Sequence, residues 1–137
     1  MPAPESGPAR SGALIYAKDP DRLVAFYRHL LGMELSHKDE GLTVLTNADT
    51  QLLIHALPPG IAERIEITTP PTSRLQSAIK LFFTVDNLDL AVERLRGRGG
   101  LALPGAWSNP RFQVINAVDP EGNVFHLREL VSTQRLS

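Results

Sequence analysis

The feature that most restricts the fold is a phrase the chain writes twice. Its first copy opens with an apolar run, Ala13–Ala17. Asp19 and Pro20 follow, then a stripe of Leu23, Phe26, Tyr27, Leu30 and Leu31 closed by Gly32. The second copy opens with Ile79–Val85 and continues through Asp86 and Asn87. Its stripe is Leu88, Ala91, Val92 and Leu95, stopped by Gly97, Gly99 and Gly100. Each copy has the same physical sense. The apolar run suits a strand, and the Asp or Asn side chain can accept from unpaired amides of a first helical turn. Proline at the first helical position lacks only a donor that would be unpaired anyway. Apolar residues three and four apart give one greasy helix face, and glycine takes the left-handed turn that ends it.

Three shorter strand candidates follow each helix. They are Met33–His37, Leu42–Thr46 and Gln51–Leu57 in the first half, and Leu101–Leu103, Phe112–Val118 and Asn123–Leu130 in the second. Turn residues at Asn47–Thr50 and Asp119–Gly122 precede the last strand of each half. The pattern predicts an α+β fold of two tandem βαβββ repeats with a period of roughly 70 residues. Curved mixed sheets would surround a cavity, with the helices on the outer face. The expected boundaries are a flexible tail at 1–11, repeats at 12–57 and 77–131, a linker at 58–76 and a second tail at 132–137. The Pro-rich linker has room for an extra edge strand at Arg64–Thr68.

Composition narrows the function. The 137 residues carry a formal net charge of -1, so no bulk field draws the chain to nucleic acid or an anionic membrane. There is no cysteine, which excludes disulfides, thiolate metal sites and a cysteine nucleophile. No apolar run reaches the roughly 18 residues of a membrane span, and Pro and Gly interrupt the N-terminus where a secretion signal needs an apolar core. A cytoplasmic protein is expected.

Strand parity locates a candidate cavity face. In Gln51–Ala56, Leu52, Ile54 and Ala56 share one face while Gln51, Leu53 and His55 share the other. In Asn123–Arg128, Phe125 and Leu127 lie opposite Val124, His126 and Arg128. The first strands divide likewise, with Leu14 and Tyr16 on one face of theirs, and Lys80, Phe82 and Thr84 on one face of the other. Each strand thus has an apolar face suited to packing under a helix and a mixed face suited to a small-molecule pocket. The mixed face of these strands holds His55, Lys80, His126 and Arg128 but no Asp or Glu, so a neutral or anionic ligand is expected.

The order Asp19, Phe26-Tyr27, Leu31-Gly32-Met33, then Val85-Asp86-Asn87, Trp107 and Asp119-Pro120-Glu121-Gly122-Asn123, resembles the vicinal oxygen chelate superfamily. That group includes glyoxalase I, bleomycin and fosfomycin resistance proteins, and extradiol dioxygenases. The resemblance covers about residues 12 to 130. It implies a metal site on inward positions of the first and last strand of each half, which here are Gly12, His55, Lys80 and His126. His55 and His126 are competent imidazole ligands for Zn, Ni, Fe or Mn. Glycine has no donor, and an ammonium repels a divalent ion. The preferred expectation is therefore a metal-independent binding protein with no cofactor. Its ligand would be held by Leu14, Tyr16, Leu53, His55, Lys80, Phe82, Trp107 and His126. The alternative is a divalent-metal-dependent lyase, isomerase or dioxygenase, with Glu66 or a second chain supplying a third ligand. A homodimer is expected, since half-barrels of this kind leave sheet edges open.

Overall fold

The computed structural model describes residues 9–131, and within it each half of the chain forms one sheet. The tail expected at 132–137, and residues 1–8 of the tail expected at 1–11, lie outside the described residues. The first half runs β1 (Gly12–Ala17), α1 (Pro20–Leu31), β2 (Glu34–Asp39), β3 (Leu42–Thr46) and β4 (Gln51–Ala56). Its sheet has the order β1-β4-β3-β2, with β1 parallel to β4 and the other pairs antiparallel. After α2 (Pro59–Ala62) come β5 (Phe82–Thr84), α3 (Leu88–Gly97), β6 (Leu101–Ala102), β7 (Trp107–Ser108), β8 (Phe112–Val118) and β9 (Val124–Leu130). The second sheet repeats the first order as β5-β9-β8-β6, β7 also pairing with β8. The α+β reading of two βαβββ units in mixed sheets holds.

Three local expectations need correction. The first strand of the second half shrinks from Ile79–Val85 to three residues, because it has a partner on one side only and Ile79 stands 76% exposed. Backbone bonds from His126 to Leu81 and from Val85 to Arg128 still extend its ladder by one residue at each end. Trp107–Ser108, not expected as a strand, pairs with β8 beyond a break after Ala102 where Gly105 adopts a φ of 95°. No strand forms at Arg64–Thr68; the ordered element of the linker is α2, and the Lys18 ammonium donates to the Ile65 carbonyl.

The helices begin and end as their sequences dictate. Asp19 accepts from the Arg22 amide at 3.2 Å, and Gly32 closes α1 with a φ of 66°. In α3 it is Asn87, not Asp86, that caps, accepting from the Leu90 amide at 2.9 Å. Leu23, Phe26, Tyr27 and Leu30 of α1, with Leu88, Ala91 and Leu95 of α3, join one core with residues of both sheets. Phe26, Tyr27, Phe83 and Phe125 meet in it as tilted and edge-to-face pairs, 4.9–6.2 Å between centroids. Full burial of a phenylalanine such as Phe26 or Phe125 contributes roughly 1.5–3 kcal/mol.

Polar ties cross between the halves. Buried Glu121 accepts from the amides of Lys18 and Asp19 at 2.8 and 2.6 Å, occupying donors at the very start of α1. Buried Asp119 accepts from the Tyr27 hydroxyl at 2.8 Å, from the amides of Glu121 and Asn123, and from the Asn123 side chain. Burial raises the Asp119 pKa, while these donors pull it back down. Burial, with Asp119 alongside, pushes the Tyr27 pKa well above 10, so its hydroxyl keeps the proton it donates. Gly122 completes the turn at a φ of 91°, and a Cβ there would lie 2.3 Å from the Thr72 carbonyl oxygen. No helix among the described residues is long and apolar enough to cross a membrane.

Candidate functional site

The sheet faces turned away from α1 and α3 carry the candidate residues, and strand register arranges them in rows. On the first sheet Leu14 pairs with Leu53, and Tyr16 with His55. The Tyr16 and His55 rings lie 5.6 Å apart at 57°. His55 Nδ1 is 2.8 Å from the Ala56 carbonyl oxygen, which can only accept, so Nδ1 carries the hydrogen and Nε2 is left for a ligand.

On the second sheet one row runs Thr84, Arg128, Val114, Trp107, and the next runs Phe82, His126, Asn116. Lys80 precedes Phe82 by two residues and so shares its face. The Trp107 and His126 rings meet edge-on at 6.0 Å. Partial burial and then the Lys80 charge lower the His126 pKa below 6.5, favouring the neutral imidazole. Beside it, the Asn116 Oδ1 is buried without a hydrogen-bond partner among the described residues. Arg128 lies between the Phe82 and Phe112 rings, 4.3 and 4.0 Å from their centroids, and its Nε donates to Thr84 Oγ1 at 2.9 Å.

Two cavities open along the seam where edge strands β1 and β5 face each other. The larger, about 860 Å³, extends under the end of α1 and takes in Lys80 and Phe82. The smaller, about 550 Å³, runs beside β1 and takes in Leu14 and Tyr16. Both touch Gly12, Ala13 and Leu81. Leu53, His55, Trp107 and His126 line neither; they sit on the open sheet faces flanking the seam. The structure thus pairs Tyr16 with His55, and groups Trp107, His126, Phe82 and Lys80, but it records no contact between the two histidines.

The acid-free face holds only in part. A bulge between Leu35 and His37 resets the register of β2, bringing Glu34, His37 and Asp39 to the side of Thr46, Val44 and Leu42. His37 occupies the Asp39 carboxylate at 2.9 Å, and Glu34 is exposed. Carboxylates thus stand on the outermost strand of the first sheet and, as Asp49 and Asp86, along the larger cavity. Along its paired strands the matching face of the second sheet has His126 and Arg128 and no acid among the described residues, while Lys80 and Asp86, at either end of β5, line the larger cavity. Parity in the last strand finds Arg128, and the same alternation applied to Phe112–Val118 finds Asn116, which the sequence reading omits.

The donor set does not fit a divalent metal. Gly12 offers no ligand, and a Cβ there would meet the Gln51 carbonyl oxygen at 2.4 Å, so no side chain enters without moving the strand. Lys80 brings positive charge to the position beside His126. Among the described residues no three of His, Cys, Asp or Glu gather, and Glu66 does not join the histidines.

The family model of the Glyoxalase/Bleomycin resistance protein/Dioxygenase superfamily matches residues 11–127. No curated protein matches the sequence. Among solved structures, the chain is similar to a glyoxalase/bleomycin resistance protein/dioxygenase family enzyme from Burkholderia phytofirmans PsJN. The TM-score is 0.70 and the identity 19%, over 90% of this chain and 100% of that one. It is similar to a fosfomycin resistance protein, FosX, from Listeria monocytogenes, with a TM-score of 0.64 and 16% identity over 94% and 96% of the chains. A bleomycin-binding protein complexed with bleomycin aligns with a TM-score of 0.55 and 20% identity, over 90% and 100%. At these identities the structures share the fold.

Proposed function

The chain belongs to the Glyoxalase/Bleomycin resistance protein/Dioxygenase superfamily, and from that premise we propose that it binds a neutral or anionic small molecule without a metal. The observation that carries the reading is the pairing of Lys80 with His126. At two positions where the family resemblance implies ligands, this chain sets a cation beside an imidazole it helps keep neutral. A divalent ion there would be repelled, whereas an anion would be attracted by Lys80 and Arg128.

Apolar surface supplies the rest of the affinity. Leu14, Tyr16, Phe82 and Trp107 are 46%, 57%, 56% and 45% exposed on the faces beside the seam. Covering such area gains about 25 cal/mol per Å². Leu53 and His55 extend the surface on the first sheet. The bleomycin complex of a protein with this fold supports ligand sequestration as the mode of action. The proposal includes a homodimer, in which a second copy packs against open sheet edges, and action in the cytoplasm, where a cysteine-free chain has no disulfide to lose. The alternative, a metal-dependent lyase, isomerase or dioxygenase, is favoured by two imidazoles on last strands of the two sheets, His55 and His126.

The single tryptophan, Trp107, reports binding directly. Aromatic carboxylates, phenols and neutral amides are expected to change its emission after exhaustive chelation, and aromatic ammonium compounds are not. Binding restricted to cations would overturn the reading. So would one equivalent of tightly held zinc, nickel, iron or manganese that is lost in His55→Ala.

A further inference from the structure

We propose that Arg128 is the anchor for an oxyanion, carboxylate or phosphonate in class, on a ligand whose apolar body lies across Phe82 and Trp107. The inference rests on the small-molecule reading and names the ligand's recognition group. Four features carry it. The guanidinium carbon lies over two rings, 4.3 Å from the Phe82 centroid and 4.0 Å from the Phe112 centroid, so both restrict the side chain before any ligand arrives. Its Nε is committed to Thr84 Oγ1. Its two Nη groups have no hydrogen-bond or ion-pair partner among the described residues, although a guanidinium normally finds a carboxylate. Finally, register places it two residues from His126 and in the same row as Trp107, with Val114 between them, on a face that also carries Lys80.

Planar, restrained and unpaired, the fork of Nη groups matches two oxygens of one oxyanion in a bidentate bond. The rings have already removed much of the side-chain entropy that binding would otherwise cost. Lys80 adds attraction without competing for the same geometry, because an ammonium is a point charge. Phe82 serves twice: one part of its ring holds the guanidinium, and the rest is open to a ligand.

The test compares 4-tert-butylbenzoate with 4-tert-butylbenzamide, which differ in charge and little in shape, in wild type, Arg128→Met and Arg128→Lys. Affinity is read by calorimetry and Trp107 emission, with thermal unfolding as the check on folding. Wild type is expected to prefer benzoate by about tenfold or more, as charge-assisted bidentate bonds allow. Arg128→Met should abolish that preference, lowering benzoate affinity far more than benzamide affinity. Arg128→Lys should retain part of it, since charge survives and the fork does not; if the Met variant fails to fold, the Lys variant carries the comparison. The His126 pKa should rise when benzoate binds to wild type. Equal loss of both probes in the variants would make Arg128 a packing residue and overturn the proposal. Equal affinity of wild type for both probes overturns the anchor but leaves small-molecule binding standing. If neither probe binds the folded protein, both readings fall.

Discussion

His126 holds its proton less readily than an ordinary histidine, because it is partly buried and because Lys80 lies near. The sign of the effect on stability follows. With a folded pKa below 6.5, the unfolded chain takes up the proton first as the pH falls. Stability contributed by neutral His126 is therefore present above 6.5 and is lost as acid carries the pH through that value toward the lower folded pKa. Lys80→Met removes the second cause while leaving burial in place. The His126 pKa is expected to move up toward 6.5 but not reach it, and the acid-side loss of stability to shrink. Titration of the His126 ring protons by NMR checks the first expectation, and chemical unfolding at pH 5 and pH 7.5 checks the second. At this scale much was legible in the sequence. Alternation alone set Leu52, Ile54, Phe125 and Leu127 in the core and turned His55 and His126 to the other side. It could not reveal the lodging of Arg128 between two rings, because Phe82 and Phe112 reach it from different strands.

A helix usually carries its own means of satisfying its first amides, often an N-terminal Ser or Thr with Glu three residues on. In α1 Asp19 caps the third helical amide, that of Arg22, and the amides of Lys18 and Asp19 just before the helix are taken by Glu121, 102 residues from Asp19. In α3 the first helical amide, that of Leu88, donates to Glu129 of β9 at 2.6 Å. Both helices are thus tied at their N-termini by carboxylates of the second half. Glu121→Ala is expected to lower stability by about 1 kcal/mol, the lower end of the range for unpaired amides, since those of Lys18 and Asp19 are only partly buried. Hydrogen exchange should quicken most at the start of α1, while Glu121→Gln, with one accepting oxygen, should recover part of the loss. Unchanged exchange there would show that water satisfies these amides equally well. The sequence marked Asp119–Gly122 as a turn through Pro120 and Gly122. Its second task, clasping α1, was hidden by chain separation.

The two sheets share one core beneath α1 and α3 yet leave the seam between β1 and β5 without strand pairing. Apolar side chains beside that seam, Tyr16 and Phe82 among them, remain more than half exposed. The strand edges left open there favour a partner, and a second copy supplies one by symmetry. Light scattering after size exclusion is expected to give twice the chain mass, with Tyr16→Asp shifting the balance toward monomer. A chain that stays monomeric at every concentration would refute the dimer.

The sequence by itself determined the repeat, the two main helices with their caps, the four-strand order of chemistry in each half and the division of each strand into two faces. These are consequences of local periodicity and backbone conformation, which neighbouring residues control. Tertiary structure decided how short β5 is, which face of β2 its bulge turns, what Glu121 clasps and where Arg128 is held. Each depends on groups brought together from distant parts of the chain, where packing and hydrogen-bond satisfaction act and periodicity carries no information.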